Sequence, residues 1–339
     1  VNYQVLTPTQ REKYDIRVGY IEFLDNNYDE AYKYFNRLGV ASEYADHATY
    51  YKSYIEYVRG NYPVAKKGFV SLKSSDAYGS LVPYYLLQIE YKEGNYPYVV
   101  KEGAVILPKS SKEQARDLQR IMAESWFRMN NFRKSADYIR AFEKSGGKMD
   151  RAENYILGYS LYRTANYHQA QPALQKVCGA DDALTQNASY HLADCYLKNG
   201  DKRMASSAFA MASNDKFDGR IAEDALFNYG KLQYELGGGT FNAAVNILTR
   251  YIEKYPDSKR LQEARELLIA AYFNSSNYEN AYNAIKALPN PDSSIRAALQ
   301  KITYLLLAYL FSLPAIHHFI FHFPIIAQKK FFSVNLNFF

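Results

Sequence analysis

Small and apolar residues return along most of this chain at intervals of three and four, the period of amphipathic helices. The helical stretches are short and come in pairs. In the first pair, Val18, Gly19 and Phe23 share a face before Asn26–Asn27, and Ala31, Phe35 and Leu38 share one after it. The break between them recurs as NNYDEA at Asn26–Ala31, GNYPVA at Gly60–Ala65, GNYPYV at Gly94–Val99 and NNFRKS at Asn130–Ser135. It continues as ANYHQA at Ala165–Ala170, GDKRMA at Gly200–Ala205, GTFNAA at Gly239–Ala244 and SNYENA at Ser276–Ala281. Its anchor falls at Tyr28, Tyr62, Tyr96, Phe132, Tyr167, Lys202, Phe241 and Tyr278, at spacings of 34, 34, 36, 35, 35, 39 and 37. Gly and Asn at the break tolerate positive φ and supply a tight turn. The aromatic anchor can wedge between two antiparallel helices, and the small residue three places later lets them approach. The pattern predicts an all-α chain of about eight helical hairpins of about 34 residues each.

On these residues the chain resembles the tetratricopeptide repeat family. Gly19, Tyr28, Ala31 and Phe35 match its pattern in the first repeat, and Ala123, Phe132 and Ile139 in the fourth, with Ser135 replacing Ala. Gly158, Tyr167, Ala170 and Leu174 match in the fifth, and Gly230, Phe241, Ala244, Leu248 and Pro256 in the seventh, where Gly237–Gly239 lengthens the turn. Tyr272, Tyr278, Ala281 and Ile285 match in the eighth. The sixth departs with Lys202 at the aromatic place, so a looser hairpin is expected; Val99 and Gly103 are atypical in the third. The resemblance covers about residues 12–295. It implies a right-handed superhelix, an α-solenoid, whose inner wall is built from the first helices. Residues 222–285, with Tyr255–Ser258 and an Ala-rich helix after it, resemble envelope-associated bacterial repeat proteins of the Tol–Pal coordinator and outer-membrane assembly lipoprotein types. That implies a periplasmic or cell-envelope scaffold, with the cytoplasm as the alternative.

With Gly19 as register mark, the inner-facing stripe holds Ile16, Tyr20 and Phe23, then Tyr50, Tyr54 and Tyr57, then Tyr84, Gln88 and Tyr91. It continues with Arg120, Glu124 and Phe127, then Tyr155, Tyr159 and Tyr162, then Tyr190, Asp194 and Leu197. Tyr gives stiff contact area with a hydroxyl that can address peptide backbone. The candidate partner-binding residues are therefore Tyr20, Tyr50, Tyr54, Tyr57, Tyr84, Tyr91, Phe127, Tyr155, Tyr159, Tyr162 and Tyr190. Tyr54, Tyr91 and Tyr159 are the ones expected to stand most open. The bland alternative is that these rings pack between neighbouring hairpins and show only an edge. A chaperone-tail carboxylate clamp needs paired Lys and Asn, and the corresponding places read Ile16/Tyr20, Tyr50/Tyr54 and Tyr84/Gln88.

Composition adds a tyrosine excess, 34 Tyr beside one Trp, much of which falls on the turns and the stripe. The net charge of +6 is uneven: residues 1–292 carry +2, and the last 47 carry +4 with no acid. A nearly neutral array argues against nucleic acid as partner. The six His form no HExxH or Cys/His ligand cluster, and His191 with Cys195 on one helix face reads as packing. Cys178 and Cys195 fall on adjacent predicted helices, where two packed thiols are the default and a disulfide is open in an oxidising compartment. Gly237–Gly239 has no following Lys-Ser/Thr, which excludes a phosphate loop. No catalytic constellation is singled out, and no cofactor or metal is expected.

The domain map is a lead-in over 1–11, eight repeats over 12–295, the start of a broken ninth over 296–304, and an apolar tail over 305–339. Ile302–Gln328 runs 27 residues without a formal charge, long enough to span a membrane. Pro314, Pro324, His317, His318 and His322 speak against it. The tail admits three readings: an anchor flanked by Lys329 and Lys330, an apolar cap on repeat eight, or a non-native end, the reading preferred for a solenoid lacking a polar cap. No signal peptide is visible, and a removed one would look the same; Val1, which is not an initiator, and the broken ninth repeat suggest a longer native chain. The function expected is a non-catalytic scaffold binding a partner peptide or helix in the Tyr-rich groove, in bacterial envelope assembly. The alternative is a glycan- or small-ligand-binding module on the same aromatic face.

Overall fold

The structure, a computed structural model, describes residues 3–213, 216–237, 241–287 and 293–312. It forms two compact units, Val1–Asn166 and Tyr167–Phe339. The first contains α1 (Pro8–Leu24), α2 (Tyr28–Phe35), α3 (Ala45–Val58), α4 (Tyr62–Ser71), α5 (Val82–Lys92), α6 (Tyr96–Ile106), α7 (Lys112–Arg128), α8 (Phe132–Lys144) and α9 (Arg151–Arg163). The second contains α10 (Tyr167–Gln175), α11 (Ala183–Lys198), α12 (Lys202–Ala212), α13 (Gly219–Leu236), α14 (Asn242–Lys254), α15 (Leu261–Asn274), α16 (Tyr278–Lys286) and α17 (Ser293–Ser312). Among the described residues there is no strand. Within each unit every helix packs on the next, and α1 touches α3, α5 touches α7, α11 touches α13 and α13 touches α15. Contacts confined to near neighbours are those of an α-solenoid.

The turns explain why the chain reverses where it does. The residue two places before the anchor is left-handed at Asn26 (φ 61°), Gly60 (77°), Gly94 (78°), Asn130 (59°), Ala165 (60°), Gly200 (83°) and Ser276 (59°). One residue later, the amide N–H donates back to the carbonyl five places earlier, as in Asn27 to Glu22 at 2.8 Å and Asn131 to Trp126 at 2.9 Å. This is the Schellman closure of a helix C-terminus. The same residue precedes the next helix, so one Asn or Asp ends one helix and opens another. Asn131, Asp201 and Asn277 also accept the third following backbone N–H on their side chains, satisfying a donor the helix start leaves free.

The anchor rings wedge as the spacing predicts. Tyr28 lies 5.7 Å from Phe23, Tyr62 6.1 Å from Tyr57, Tyr96 6.4 Å from Tyr91, Phe132 5.7 Å from Phe127 and Tyr278 5.7 Å from Phe273. Three places after each anchor, Ala31, Ala65, Val99, Ser135, Ala170, Ala205, Ala244 and Ala281 are fully buried. Seven places after, Phe35, Phe69, Ile139, Leu174, Phe209, Leu248 and Ile285 form the core. Gly19 is required by closeness: a Cβ there would sit 2.7 Å from Phe35 Cε1. At Gly103, where the third repeat lacks a large residue, Met122 fills the space, its Sδ 2.7 Å from where a Cβ would stand.

The sixth hairpin corrects the expected looseness. Gly200 and Asp201 make the same turn, with Asp201 N–H donating to Tyr196 at 2.9 Å. Ala205, Ala208, Phe209 and Ala212 bury as in the other repeats. Lys202, lacking a ring to wedge, reaches the next first helix and pairs with Glu235 at 2.8 Å. The expected ninth first helix is α17, with Ile302 fully buried against Ile269, Ala281 and Ile285. The anchor, cap and non-native readings of the tail concern residues that lie, beyond Ser312, outside the described residues. No helix among the described residues is long and apolar enough to cross a membrane.

Candidate functional site

The candidate residues sit on α1, α3, α5, α7 and α9 of the first unit, and on α11 of the second. Tyr20 is exposed; Tyr50, Tyr54, Tyr57, Tyr84, Tyr91, Phe127, Tyr155, Tyr159, Tyr162 and Tyr190 are all half-buried. The helical spacing of the stripe puts them on one side of each first helix. In the first unit the rings meet across repeats. Phe23 lies 5.3 Å from Tyr54, Tyr20 5.4 Å from Tyr51, and Tyr54 5.9 Å from Tyr85. Phe127 lies 5.5 Å from Tyr159, which stacks on Tyr155 at 5.6 Å and meets Tyr162 at 6.0 Å.

Their hydroxyls also bind sideways, one repeat along. Tyr84 donates to Asp117 at 2.9 Å, Tyr91 donates to Glu124, and in the second unit Tyr190 donates to Asp224 at 2.6 Å. Tyr50 and Tyr85 share a hydroxyl–hydroxyl bond at 2.7 Å, and Tyr50 stacks on Tyr78 at 4.2 Å. Burial pushes the hydroxyls of Tyr50, Tyr54, Tyr57, Tyr84 and Tyr91 up from the ordinary tyrosine value, and that of Tyr155 to about 12. The carboxylates beside Tyr84 and Tyr91 push the same way, because a phenolate there would face a like charge.

Charged groups interleave with the rings. Arg120, 4.0 Å from Glu153, also favours the ionised forms of Tyr57 and Tyr91. Glu124 accepts from Tyr91 and pairs with Arg128 at 3.1 Å. Arg163 donates to Tyr159 at 2.9 Å and lies 4.5 Å over the Phe132 ring. The stripe omitted Tyr51 and Tyr85, which hold the aromatic packing together by stacking on Phe35 and Phe69 at 5.1 and 4.8 Å. Their signal was a second tyrosine row, also 34 residues apart. The acceptors Asp117 and Asp224 were missed too, since nothing within a single repeat marks them.

Chemically, such a face offers ring edges, hydroxyls and alternating charge. Among the described residues no group of three His, Cys, Asp or Glu is placed to hold a metal ion. Cys178 and Cys195 are not joined in a disulfide, and burial raises the Cys195 thiol to about 12.

The seventh hairpin, α13 with α14, settles what the repeats are. Residues 224–258 match a sequence profile described as tetratricopeptide repeat. The other hairpins share its buried residue three places after the anchor and, except in the third, its large residue seven places after. The chain is similar to the C-terminal part of a tetratricopeptide-repeat protein from Cytophaga hutchinsonii: 17% identity, 79% of this chain and 98% of that one, TM-score 0.45. It is also similar to YrrB, described as a tetratricopeptide-repeat protein with an unusual peptide-binding site: 16% identity, 58% and 97% of the two chains, TM-score 0.46. A third similarity is to the Naa15/Naa10 structure with HypK bound: 14% identity, 81% and 42%, TM-score 0.45. No curated protein sequence matches the chain. Tetratricopeptide repeats mediate protein–protein interactions.

Proposed function

We propose that this chain is a non-catalytic scaffold that holds a peptide or helix of a partner protein against the aromatic face of its first helices. Tyr54 carries the reading. Phe23, Tyr57 and Tyr85 hold its ring on three sides at 5.3, 6.3 and 5.9 Å, yet it stays partly open to solvent. A ring fixed before binding costs little entropy to order, so its contact area goes into affinity. Tyr91 and Tyr159 are fixed in the same way by Glu124 and by Phe127 with Tyr155. The setting proposed is a bacterial envelope; the resemblance of residues 222–285 supports it.

The test is partner capture by the full chain and by a variant with Tyr54, Tyr91 and Tyr159 changed to Ala. The expected result is a folded variant, by circular dichroism, that has lost its protein partner. Undiminished capture by the folded variant overturns the groove, and binding to a glycan array without any protein partner favours a carbohydrate module instead.

A further inference from the structure

The first helices of the first unit end in a row whose chemistry changes from repeat to repeat. Four residues before the turn anchor stand Leu24 on α1, Val58 on α3, Lys92 on α5, Arg128 on α7 and Arg163 on α9. All five are exposed, Leu24 to 59% and Val58 to 46%. Cations in a last helical turn have an ordinary explanation, since they complement the negative end of the helix dipole. That explanation does not reach Leu24 and Val58. They occupy the same place on helices with no basic residue in the last turn, and they stand in water, Leu24 one helical turn after exposed Tyr20. Nor does the chain pair two of the three cations itself. Lys92 and Arg163 make no ion pair among the described residues; only Arg128 has one, with Glu124 at 3.1 Å.

We propose that this row seats one extended partner segment, apolar at one end and acidic along the rest. This deepens the scaffold reading above and rests on it. Charge complementarity selects the acid: side chains carrying carboxylates meet Lys92 and Arg163, which have no acidic partner of their own, and Arg128 between them. The apolar end covers Leu24, Val58 and the edge of Tyr20, removing exposed hydrophobic surface from water. Spacing sets the register. Packed helices lie about 8–10 Å apart, and an extended chain advances about 3.3 Å per residue. Every third partner residue therefore meets the next first helix. The segment carries two large apolar side chains followed by acids, all at every third place, read in one of the two chain directions.

The experiment uses the full chain and synthetic fluorescent peptides, with binding read by anisotropy. Leucines followed by glutamates at every third place are presented in both directions, beside versions with Gln or Lys replacing Glu. One direction of the Glu peptide is expected to bind, with affinity that falls as salt rises, and the Lys version is expected not to. Lys92→Glu together with Arg163→Glu should weaken the Glu peptide at least tenfold. Leu24→Ser with Val58→Ser should also weaken it and leave the salt dependence in place. Equal affinity for the Glu and Gln peptides, or indifference to the double charge reversal, overturns the acidic assignment. In that case the scaffold reading still stands if Tyr54→Ala with Tyr159→Ala abolishes binding of the Gln peptide. No binding by any of the peptides overturns the segment proposed for this row, and partner capture by the tyrosine variant then decides the scaffold reading separately.

Discussion

The Tyr190 hydroxyl donates to Asp224 Oδ2 at 2.6 Å across 34 residues of chain, the length of one repeat. Tyr84 reaches Asp117 and Tyr91 reaches Glu124 across 33 each. The tyrosines of the first helices thus do two things at once. Their hydroxyls tie a repeat to its successor, and in the function proposed their rings form the face offered to a partner. Stability of a repeat array is roughly a sum of repeat and neighbour terms, so each such bond acts on the coupling between repeats.

Removing a hydroxyl should therefore loosen that coupling without opening a cavity. Tyr91→Phe is expected to cost about 1 kcal/mol, leaving half-buried Glu124 short of a donor, and Tyr84→Phe less, because Asp117 stands in water. Urea unfolding checks this, and a broadened transition would show that neighbouring repeats have uncoupled.

Two small residues should respond in opposite ways. Gly19→Ala drives a methyl into Phe35 and is expected to cost about 1–3 kcal/mol. Ala165, a non-glycine at φ 60°, carries the steric cost of the left-handed region. Ala165→Gly is expected to stabilise by roughly 0.5–1 kcal/mol, after allowing for the freedom glycine gains in the unfolded chain. Thermal melts of the two variants should move in opposite directions.

Alkaline pH should unfold the array through its tyrosines. The folded state holds the Tyr155 proton up to about 12, against an ordinary value of 10.0, because burial disfavours the phenolate. Tyr50, Tyr84 and Tyr91 are raised for the same first reason. A raised folded value contributes stability that is fully present below pH 10 and is lost as pH rises through 12. Urea unfolding at stepped pH should give free energies that these groups leave unchanged up to about pH 10 and lower steeply above it. Tyrosinate absorbance from the buried rings should appear together with unfolding.

The hairpins were legible because each rests on a few places with distinct chemistry: a left-handed turn residue, a wedge ring, a small residue three on and a large one seven on. Where one place failed, the sequence misjudged the outcome. Lys202 reads as a defect, yet the turn is closed by backbone at Gly200 and by the Asp201 cap, neither of which needs the ring. Gly103 reads as atypical, yet Met122 comes from the next repeat to fill its place. The tyrosine stripe was legible as a shared side of each first helix. The direction of its hydroxyls was not, because Asp117, Glu124 and Asp224 are acceptors only through stacking, which no single repeat encodes.

The most direct measurement of partner binding by the first helices is amide hydrogen exchange on the full chain, with and without a captured partner peptide. Added protection is expected on α3, α5, α7 and α9, the helices carrying Tyr54, Tyr91, Phe127 and Tyr159, with α4, α6 and α8 unchanged. Protection confined to α4, α6 and α8 would place the partner on the opposite helices and contradict the aromatic face as the binding surface.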